Sequence, residues 1–252
     1  MLAERPDGGP RVVVVMPAYN AAQTLKKTWE EIPPGLVDEV LLVDDDSKDA
    51  TLEVASSLPI ETIALPHNVG YGGNQKTCYL EALRLGADVV VMLHPDGQYD
   101  PALLPLLIEP IVEGRADLVL GSRMMTKGGA RAGGMPLYRY VCNRALTAIE
   151  NVAMGTKFAE LHTGYRAYSR HLLETIPFLR NSDHFVFDTQ LIAQAVSFKL
   201  RIEQVPIHTK YFKEASSTSM RANIRYGLST LGVMARLRLH KLKLMPARIF
   251  EK

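Results

Sequence analysis

Cysteine, tryptophan and long apolar runs are all scarce in this chain of 252 residues. The two cysteines, Cys78 and Cys142, lie in helical-looking segments without metal-ligand spacing. This usage excludes a disulfide scaffold and a zinc finger, and it favours a cytosolic protein. Apolar runs such as 12–16 and 89–93 are far shorter than the roughly 18 to 20 residues that cross a bilayer. Since residues 1–10 carry no hydrophobic targeting segment either, we expect neither secretion nor a membrane span.

The glycine-rich phosphate loops of common nucleotide sites are also missing. The first predicted strand ends in Pro17-Ala18-Tyr19-Asn20, without the glycine spacing of a dinucleotide fingerprint or a P-loop. An NAD or ATP site of either type is therefore not supported.

What the chain does have is a regular alternation of strands and helices. It is 47% apolar and 22% charged, which is ordinary for one globular domain with a real core. The pattern predicts a parallel sheet covered by helices on both faces. The predicted strands are 11–16, 39–43, 60–65, 87–93, 116–120 and 201–207. The predicted helices are 22–32, 51–58, 74–85, 101–113, 137–154 and 188–198, with a glycine-rich loop at 128–134 and a turn region at 163–166.

Acidic residues gather where two of these strands end. The second strand runs into Asp44-Asp45-Asp46-Ser47, and the fourth runs into His94-Pro95-Asp96-Gly97-Gln98. Ligands of open parallel sheets bind at the carboxyl ends of the strands. Carboxylates at that edge would repel a bare phosphate, so they suggest hydrogen bonds to a ribose or base and a bridging divalent cation.

In order and spacing, four motifs resemble a known family. They are Pro-Ala-Tyr-Asn, Asp-Asp-x-Ser-x-Asp-x-Thr from Asp44, His-Pro-Asp-Gly-Gln-Tyr from His94 and Gly-Ser-Arg at 121–123. Together they look like the inverting family 2 glycosyltransferases with the GT-A fold, most closely the dolichyl-phosphate mannosyltransferase-like branch. The resemblance covers residues 11–219 and implies transfer of a sugar from a UDP- or GDP-sugar to an acceptor over the same sheet edge.

The resemblance also implies roles for the first strand ends. Pro17, Tyr19 and Asn20 would belong to the loop that packs on and hydrogen-bonds the nucleoside. Asp44 and Asp45 would bind its base and ribose. These five residues are the predicted nucleotide site.

A divalent cation, Mg²⁺ or Mn²⁺, is implied at the fourth strand end. Asp96 matches the second carboxylate of the family's Asp-x-Asp motif and Gln98 a position that can complete the shell, but His94 replaces the first carboxylate. His94 is either a neutral histidine at a strand end, with Asp96 alone holding the cation, or a direct ligand that biases the site toward Mn²⁺. A third alternative is a pseudo-enzyme without turnover.

The resemblance implies acceptor-side residues further along the chain. Arg123 would reach the diphosphate or an acceptor phosphate. Thr163, Gly164 and Arg166 resemble the segment beneath the transferred sugar. Lys210 and Lys213 are either partners of a phosphate or solvated lysines.

Transfer to a hydroxyl needs a general base, for which Glu160 and Asp188 are the candidates. The family's usual Thr/Ser-Glu-Asp base motif is not evident, and a polyprenyl phosphate acceptor, being already an anion, needs no base. The sequence thus favours a lipid-linked phosphate acceptor, with a saccharide hydroxyl as the other option. Processive polymerisation is excluded, because the only tryptophan, Trp29, cannot supply the Gln-x-x-Arg-Trp element.

Two other functions remain open on the sequence. A non-catalytic nucleotide-sugar-binding subunit is compatible with His94. A sugar-phosphate nucleotidyltransferase shares the layered fold, but it should have a glycine-rich, arginine-containing loop where Pro-Ala-Tyr-Asn stands. No feature predicts nucleic-acid binding.

The C-terminal segment differs in charge from the rest. Eight of the 29 basic residues and one of the 27 acidic residues fall in 221–252, a net charge of +7 against −5 for the remainder. We predict one GT-A domain over 1–222, with a nucleotide-sugar half at 10–123 and an acceptor half at 124–222, followed by a basic amphipathic helix at 223–252.

That helix has two apolar stripes, of which one should dock on the body. The predicted docking stripe is Ile224, Leu228, Leu231, Ala235, Leu239 and Leu242. The second stripe is Tyr226, Val233, Leu237 and Leu244. The second stripe then needs another partner, and we expect this to be either an anionic membrane surface or another subunit. Binding to the membrane would place a cytoplasmic protein peripherally at the inner face.

Overall fold

A computed structural model describes residues 8–126, 129–209 and 220–251. The strands are β1 (Val12–Ala18), β2 (Glu39–Asp44), β3 (Glu61–Ala64), β4 (Val89–Met92), β5 (Leu118–Ser122), β6 (Arg166–Ser169) and β7 (Ile202–Pro206). The helices are α1 (Leu25–Glu30), α2 (Thr51–Ser56), α3 (Tyr71–Arg84), α4 (Leu104–Val112), α5 (Gly129–Ala132), α6 (Leu137–Met154), α7 (Arg170–Thr175), α8 (Phe187–Ser197) and α9 (Met220–Lys241). Short 3-10 helices occupy Pro101–Leu103, Phe178–Arg180 and Arg248–Phe250.

All seven strands form one sheet, in the order β3-β2-β1-β4-β6-β5-β7. Every neighbouring pair is parallel apart from the two pairs that β6 makes with β4 and β5. The mostly parallel α/β sheet predicted from the sequence is therefore confirmed. Because β1, β2 and β4 are parallel neighbours, their carboxyl ends meet at one edge, and the three motifs that follow these strands begin there.

Both faces of the sheet are covered, which explains the uninterrupted apolar sequence of β1. Val13 and Val15 point into a core shared with α3, α6, α8 and α9. Val12, Val14 and Met16 point the other way, into a core shared with α1 and α4. A strand buried on both faces has no polar side to alternate with.

Three stretches of the second half and one helix start differ from the sequence expectations. The predicted turn region at 163–166 leads directly into β6 and α7, and α5 lies within the predicted glycine-rich loop. Helix α3 begins at Tyr71, three residues before its predicted start. A Cβ on Gly72 would lie 2.4 Å from the carbonyl oxygen of Ser182, so glycine permits the first turn of α3 to pack against that segment.

Helix α9 docks through the stripe that we expected to face away from the body, so that prediction was wrong. Val233 and Leu237 are buried, whereas Ile224 and Leu228 are more than half exposed. The docked face also carries Thr230, fully buried, whose hydroxyl lies 3.3 Å from the Thr189 hydroxyl of α8. Polar partners on the body decide which of two similar apolar stripes is buried.

Three further members of the expected docking stripe face solvent as well, whereas one member of the second stripe does not dock. From the expected docking stripe, Leu231, Ala235 and Leu242 are also exposed. Leu244, assigned to the second stripe, lies beyond the end of α9 and is exposed. Within the described ranges, no helix combines the length and the apolar character needed to cross a membrane.

Candidate functional site

A cleft opens at the sheet edge where β1, β2 and β4 end, with a volume of about 330 Å³. We call it the sheet-edge cleft. Its lining is formed by Pro17, Ala18, Tyr19, Asp45, Asn68, Gly70, Tyr71, Asn74, His94, His184 and Phe185. The structure thus brings the loop after β1, one carboxylate after β2 and the histidine after β4 around a single space.

The two aspartates at the carboxyl end of β2, Asp44 and Asp45, are both buried but hold different loops. Asp44 accepts hydrogen bonds from the backbone N–H of Ser47 at 2.9 Å and from its hydroxyl at 2.5 Å. Asp45 accepts from the backbone N–H groups of Val69 at 2.7 Å and Gly70 at 3.1 Å. Of the two, Asp45 lines the cleft. A carboxylate offers about four acceptor positions, so Asp45 retains capacity for a ligand.

The loop after β1 is clamped to the loop after β2. Asn20 has a φ of 54°, a left-handed conformation that asparagine tolerates. Its backbone N–H donates to the Ser47 hydroxyl at 2.8 Å, and its side-chain oxygen accepts from the Lys48 N–H at 2.8 Å. Tyr19, by contrast, is 55% exposed beside the cleft. Asn20 therefore shapes the loop, while the Tyr19 ring is open to a ligand.

Asp96 and Gln98 are bonded to each other. The Asp96 carboxylate accepts from the Gln98 backbone N–H at 3.0 Å and from its side-chain NH₂ at 2.8 Å. Burial raises the pKa of the Asp96 carboxyl and lowers the pKa of the His94 imidazole. The lowered pKa favours a neutral His94 at pH 7, and a neutral imidazole can accept a hydrogen bond or ligate a metal.

These donors fit a divalent cation that is shared with a ligand. Across residues 8–126, 129–209 and 220–251, no three His, Cys, Asp or Glu side chains are grouped closely enough to hold a metal by themselves. Mg²⁺ is commonly held by one or two carboxylates together with substrate phosphates. Asp96 and the amide oxygen of Gln98 match that arrangement, and a cage built by the protein alone is not present in these ranges.

His94 lies in a tight pocket between aromatic rings and glycine backbone. Its ring stacks on Tyr71 with centroids 5.6 Å apart. A Cβ on Gly164 would be 2.7 Å from the His94 ring. Only glycine at position 164 therefore lets this segment of the chain pack so closely against His94. The backbone N–H of Gly164 also donates to the Tyr99 hydroxyl at 2.8 Å.

Asp188 is the centre of a buried polar network. It accepts from the Tyr71 hydroxyl at 2.9 Å and from the side-chain amide of Gln75 at 3.3 Å. The guanidinium of Arg166 lies 3.1 Å from the same carboxylate. The Tyr71 hydroxyl is also 3.4 Å from Nε2 of His94, which connects this network to the cleft.

Glu160 is fully buried and is engaged by Arg123. Its carboxylate accepts from the backbone N–H of Arg123 at 2.8 Å, from Nε of that guanidinium at 2.9 Å and also from Nη2. The side-chain amide of Asn143 donates a further bond at 2.8 Å. The carbonyl of His162 accepts from Arg123 at 3.1 Å. This geometry gives Glu160 the role of fixing Arg123.

Thr163 connects the segment before β6 to the end of β5. Its hydroxyl donates to the carbonyl of Gly121, at the end of β5, at 2.6 Å. Since Gly121 directly precedes Ser122 and Arg123, this bond links the two motifs that the sequence predicted on the acceptor side.

A second cleft, of about 350 Å³, lies on the Arg123 side of the molecule. We call it the arginine cleft. It is lined by Arg123, Met124, Met125, Thr126, Gly129, Ala130, Tyr140 and Arg144. Two guanidinium groups at one opening suit an anionic ligand. Lys210 and Lys213, also predicted on this side, lie outside the described residues.

Several residues of the site were not predicted from the sequence. Tyr71 was missed because the helix that carries it was expected to begin at Asn74, and Gln75, although inside the predicted helix, has no motif around it. Arg144 and Asn143 were missed because a single arginine or asparagine in an amphipathic helix has no motif around it. The segment Asn68-Val69-Gly70 could have been predicted as part of the site, since it lies in the loop that follows β3 at the same sheet edge.

The sequence matches a known family over most of its length. The pattern of the family described as "Glycosyl transferase family 2" covers residues 13–176, from β1 through α7. This span includes the motifs at both clefts.

Two named relatives match over most of their length. The UDP-N-acetylglucosamine–dolichyl-phosphate N-acetylglucosaminyltransferase of Methanococcus voltae is 29% identical over 217 residues, which is 79% of this chain and 86% of that protein. The undecaprenyl-phosphate mannosyltransferase of Micrococcus luteus is 29% identical over 245 residues, 90% of this chain and 99% of that protein.

A solved structure has the same fold at low sequence identity. Glucosyl-3-phosphoglycerate synthase from Mycobacterium tuberculosis, solved with Mn²⁺, UDP-glucose and glycerol 3-phosphate, superposes with a TM-score of 0.71. The match covers 92% of this chain and 81% of that one, at 19% identity. The likeness identifies the GT-A fold.

Proposed function

Since this chain belongs to glycosyl transferase family 2, it is a glycosyltransferase, and we propose that it moves a sugar from a nucleoside diphosphate sugar to a polyprenyl phosphate. The observation that carries the proposal is the pair of clefts: one is lined by an aspartate and an open tyrosine, the other by two arginines. Relatives named for dolichyl-phosphate and undecaprenyl-phosphate acceptors support the lipid phosphate. The two free cysteines fit the reducing cytoplasm, where we place the protein.

The sheet-edge cleft is our proposed donor site. The Tyr19 ring would pack on the nucleoside, with Pro17 and Asn20 shaping its loop, and the Asp45 carboxylate would accept hydrogen bonds from base or ribose. Asp44 would support this site through Ser47. Residues 10–123 would then form the donor half and residues 124–222 the acceptor half.

A divalent cation, Mg²⁺ or Mn²⁺, would be held by Asp96 and Gln98 together with the donor diphosphate. When bound there, it would stabilise the negative charge that develops on the departing diphosphate. The Mn²⁺ bound in a structure of the same fold supports this proposal. His94 would either complete the donor set or stay a neutral neighbour hydrogen-bonded within the site.

The hydrogen bonds that engage both candidate bases favour a phosphate acceptor over a hydroxyl acceptor. Glu160 is saturated by Arg123 and Asn143, and Asp188 is bound by Tyr71, Gln75 and Arg166. A base must be within hydrogen-bond reach of the proton that it removes. A phosphate monoester has at least one anionic oxygen at neutral pH, which can attack without losing a proton, so neither carboxylate is needed as a base.

The chemical step then needs only positioning and charge. A phosphate oxygen of the acceptor attacks the anomeric carbon as the carbon–oxygen bond to the diphosphate breaks. The products are a sugar linked to the lipid through one phosphate, with inverted anomeric configuration, and a nucleoside diphosphate. Arg123 and Arg144 would hold the acceptor phosphate in the arginine cleft, with Lys210 and Lys213 as further partners and Thr163, Gly164 and Arg166 beneath the sugar.

An acceptor-dependence experiment tests the proposal. The full chain is incubated with UDP- and GDP-sugars and Mg²⁺ or Mn²⁺, with a polyprenyl phosphate, the corresponding polyprenol or a saccharide. We expect nucleoside diphosphate to be released only with the phosphate. Release with the saccharide, release of pyrophosphate, or binding of donor without turnover with any acceptor would contradict it.

A further inference from the structure

The outward sides of α6 and α9 carry a large set of exposed apolar side chains. We call this set the apolar outer face. The two helices pack against one another: Lys241 donates to the Met154 carbonyl at 3.1 Å, and Arg238 donates to the carbonyl of Val152. The face consists of Leu137, Val141, Ile149, Val152, Ile224, Leu228, Leu231 and Leu242, between 39% and 72% exposed. Scattered exposed leucines are ordinary, but seven large apolar groups on two packed helices, with Leu242 directly after α9, indicate an interaction surface.

The charge on these helices has one sign at the surface. Helices α6 and α9 together contain seven arginine and lysine residues. Their single acidic residue is Glu150, which is buried. Arg225 and Arg236 are exposed on α9, and Arg139 and Arg144 lie on α6. Apolar groups interspersed with cationic ones, with no exposed acid, complement an anionic lipid surface.

A second copy of the chain fits this face less well. A two-fold interface places each surface patch against its own copy, so arginines would meet arginines. Such like-charge contacts disfavour association. At a bilayer, in contrast, arginine and lysine side chains can reach the headgroup level while the apolar groups enter the acyl boundary.

The face also lies next to the arginine cleft. Tyr140 and Arg144, one turn apart on α6, line that cleft, while Leu137 and Val141 begin the apolar outer face on the same helix. A lipid whose chain remains in the bilayer could therefore present its phosphate to the cleft across the edge of α6.

We propose that the apolar outer face lies in the interface of an anionic bilayer, with α6 and α9 in the membrane plane and the arginine cleft at headgroup level. The inference rests on the proposed function, which supplies a lipid-linked acceptor. It adds the surface by which the protein reaches that acceptor.

Vesicle sedimentation tests this placement directly. The full chain is mixed with vesicles of phosphatidylcholine alone or of equal parts phosphatidylcholine and phosphatidylglycerol. We expect binding to the anionic vesicles that weakens as salt is added. Each cation near such a surface is worth roughly a factor of five, so Arg225→Gln with Arg236→Gln should weaken binding about 25-fold.

A matched pair of charge insertions separates the face from general electrostatics. Val152→Glu with Leu228→Glu adds two acids on the face and should abolish vesicle binding. Leu106→Glu with Leu52→Glu adds the same charges on α4 and α2, in the opposite helical layer, and should leave most binding intact. All four positions are at least 39% exposed, and melting temperatures check that the variants remain folded.

Equal binding of both double variants, wild-type protein that stays in the supernatant with anionic vesicles, or a solution mass of a stable dimer would overturn the proposal. A second assay distinguishes the membrane proposal from the proposed function: it measures sugar transfer to a short-chain prenyl phosphate in free solution, where no membrane is needed. Vesicle binding without transfer to either form of acceptor would refute the acceptor and leave the membrane face standing. Loss of transfer only with vesicle-embedded acceptor in Val152→Glu with Leu228→Glu would support both.

Discussion

Asp44 and Asp45 are adjacent in sequence, but their carboxylates hold different parts of the chain. Asp44 fixes the turn at Ser47, and Asp45 fixes the start of α3 while lining the sheet-edge cleft. The sequence assigned both to the nucleotide as a pair. The structure distinguishes a residue that touches the cleft from one that shapes its wall.

We expect Asp45→Ala to weaken UDP or GDP binding even in the absence of metal. The loss should be about 1.5 to 3 kcal/mol, the range for a hydrogen bond that involves a charged group. Asp44→Ala should weaken binding less, because it acts through the Ser47 turn. Isothermal titration with a chelator present measures both variants. Binding equal to wild type in both would mean that the acidic strand end is purely structural.

His94→Asp tests the metal side of the site. If the imidazole is a ligand, replacing it with an oxygen donor should raise activity with Mg²⁺ relative to Mn²⁺, since Mg²⁺ prefers oxygen. Initial rates of nucleoside diphosphate release with each metal give the ratio. A ratio that matches wild type would remove His94 from the donor set.

The sequence identified residues at strand ends because motifs there are short and contiguous. It could not identify pairings between distant segments. Arg123 meets Glu160 across 37 positions, and Tyr71 meets Asp188 across 117. Those pairings engage both candidate bases in buried hydrogen bonds, and only the fold reveals them.

At the scale of elements, periodicity predicted the bounds of a long helix better than it predicted which face of a helix docks. Helix α6 has the bounds that were predicted, 137–154. Strand β6 was missed because it is four residues long and is preceded by a segment that looks like a turn. On α9, both stripes were apolar, and buried hydrogen bonds of Tyr226 and Thr230 decided between them.

Tyr226→Phe should therefore destabilise the docking of α9. The Tyr226 hydroxyl lies 2.9 Å from Nδ1 of His162 and 3.2 Å from the Thr189 hydroxyl, so its removal strips partners from buried polar groups. We expect a loss of about 1 to 3 kcal/mol in the free energy of unfolding, measured by urea denaturation. Tyr138→Phe, at a half-exposed site on α6, is the matched control and should change stability by less than about 0.5 kcal/mol. Equal effects would show that the network does not hold α9.

At the scale of the whole molecule, one sheet carries both clefts. Strands β1, β2 and β4 end at the sheet-edge cleft, our proposed donor site, and β5 leads to Arg123 in the arginine cleft, our proposed acceptor site. The layer that contains α6 and α9 adds a basic, apolar surface beside the arginine cleft. A glycosyltransferase that takes its donor from solution and its acceptor from a lipid surface needs these three features on one body.

The central claim is most directly tested by the chemical identity of the product. The protein is incubated with an isotopically labelled nucleotide sugar, a divalent cation and polyprenyl phosphate, and the lipid fraction is analysed by mass spectrometry and by NMR of the anomeric centre. The account predicts a sugar joined to the lipid through a single phosphate, with anomeric configuration opposite to that of the donor, and no product from Asp96→Ala. A retained configuration, a diphosphate-linked product or an equally active Asp96→Ala variant would contradict it.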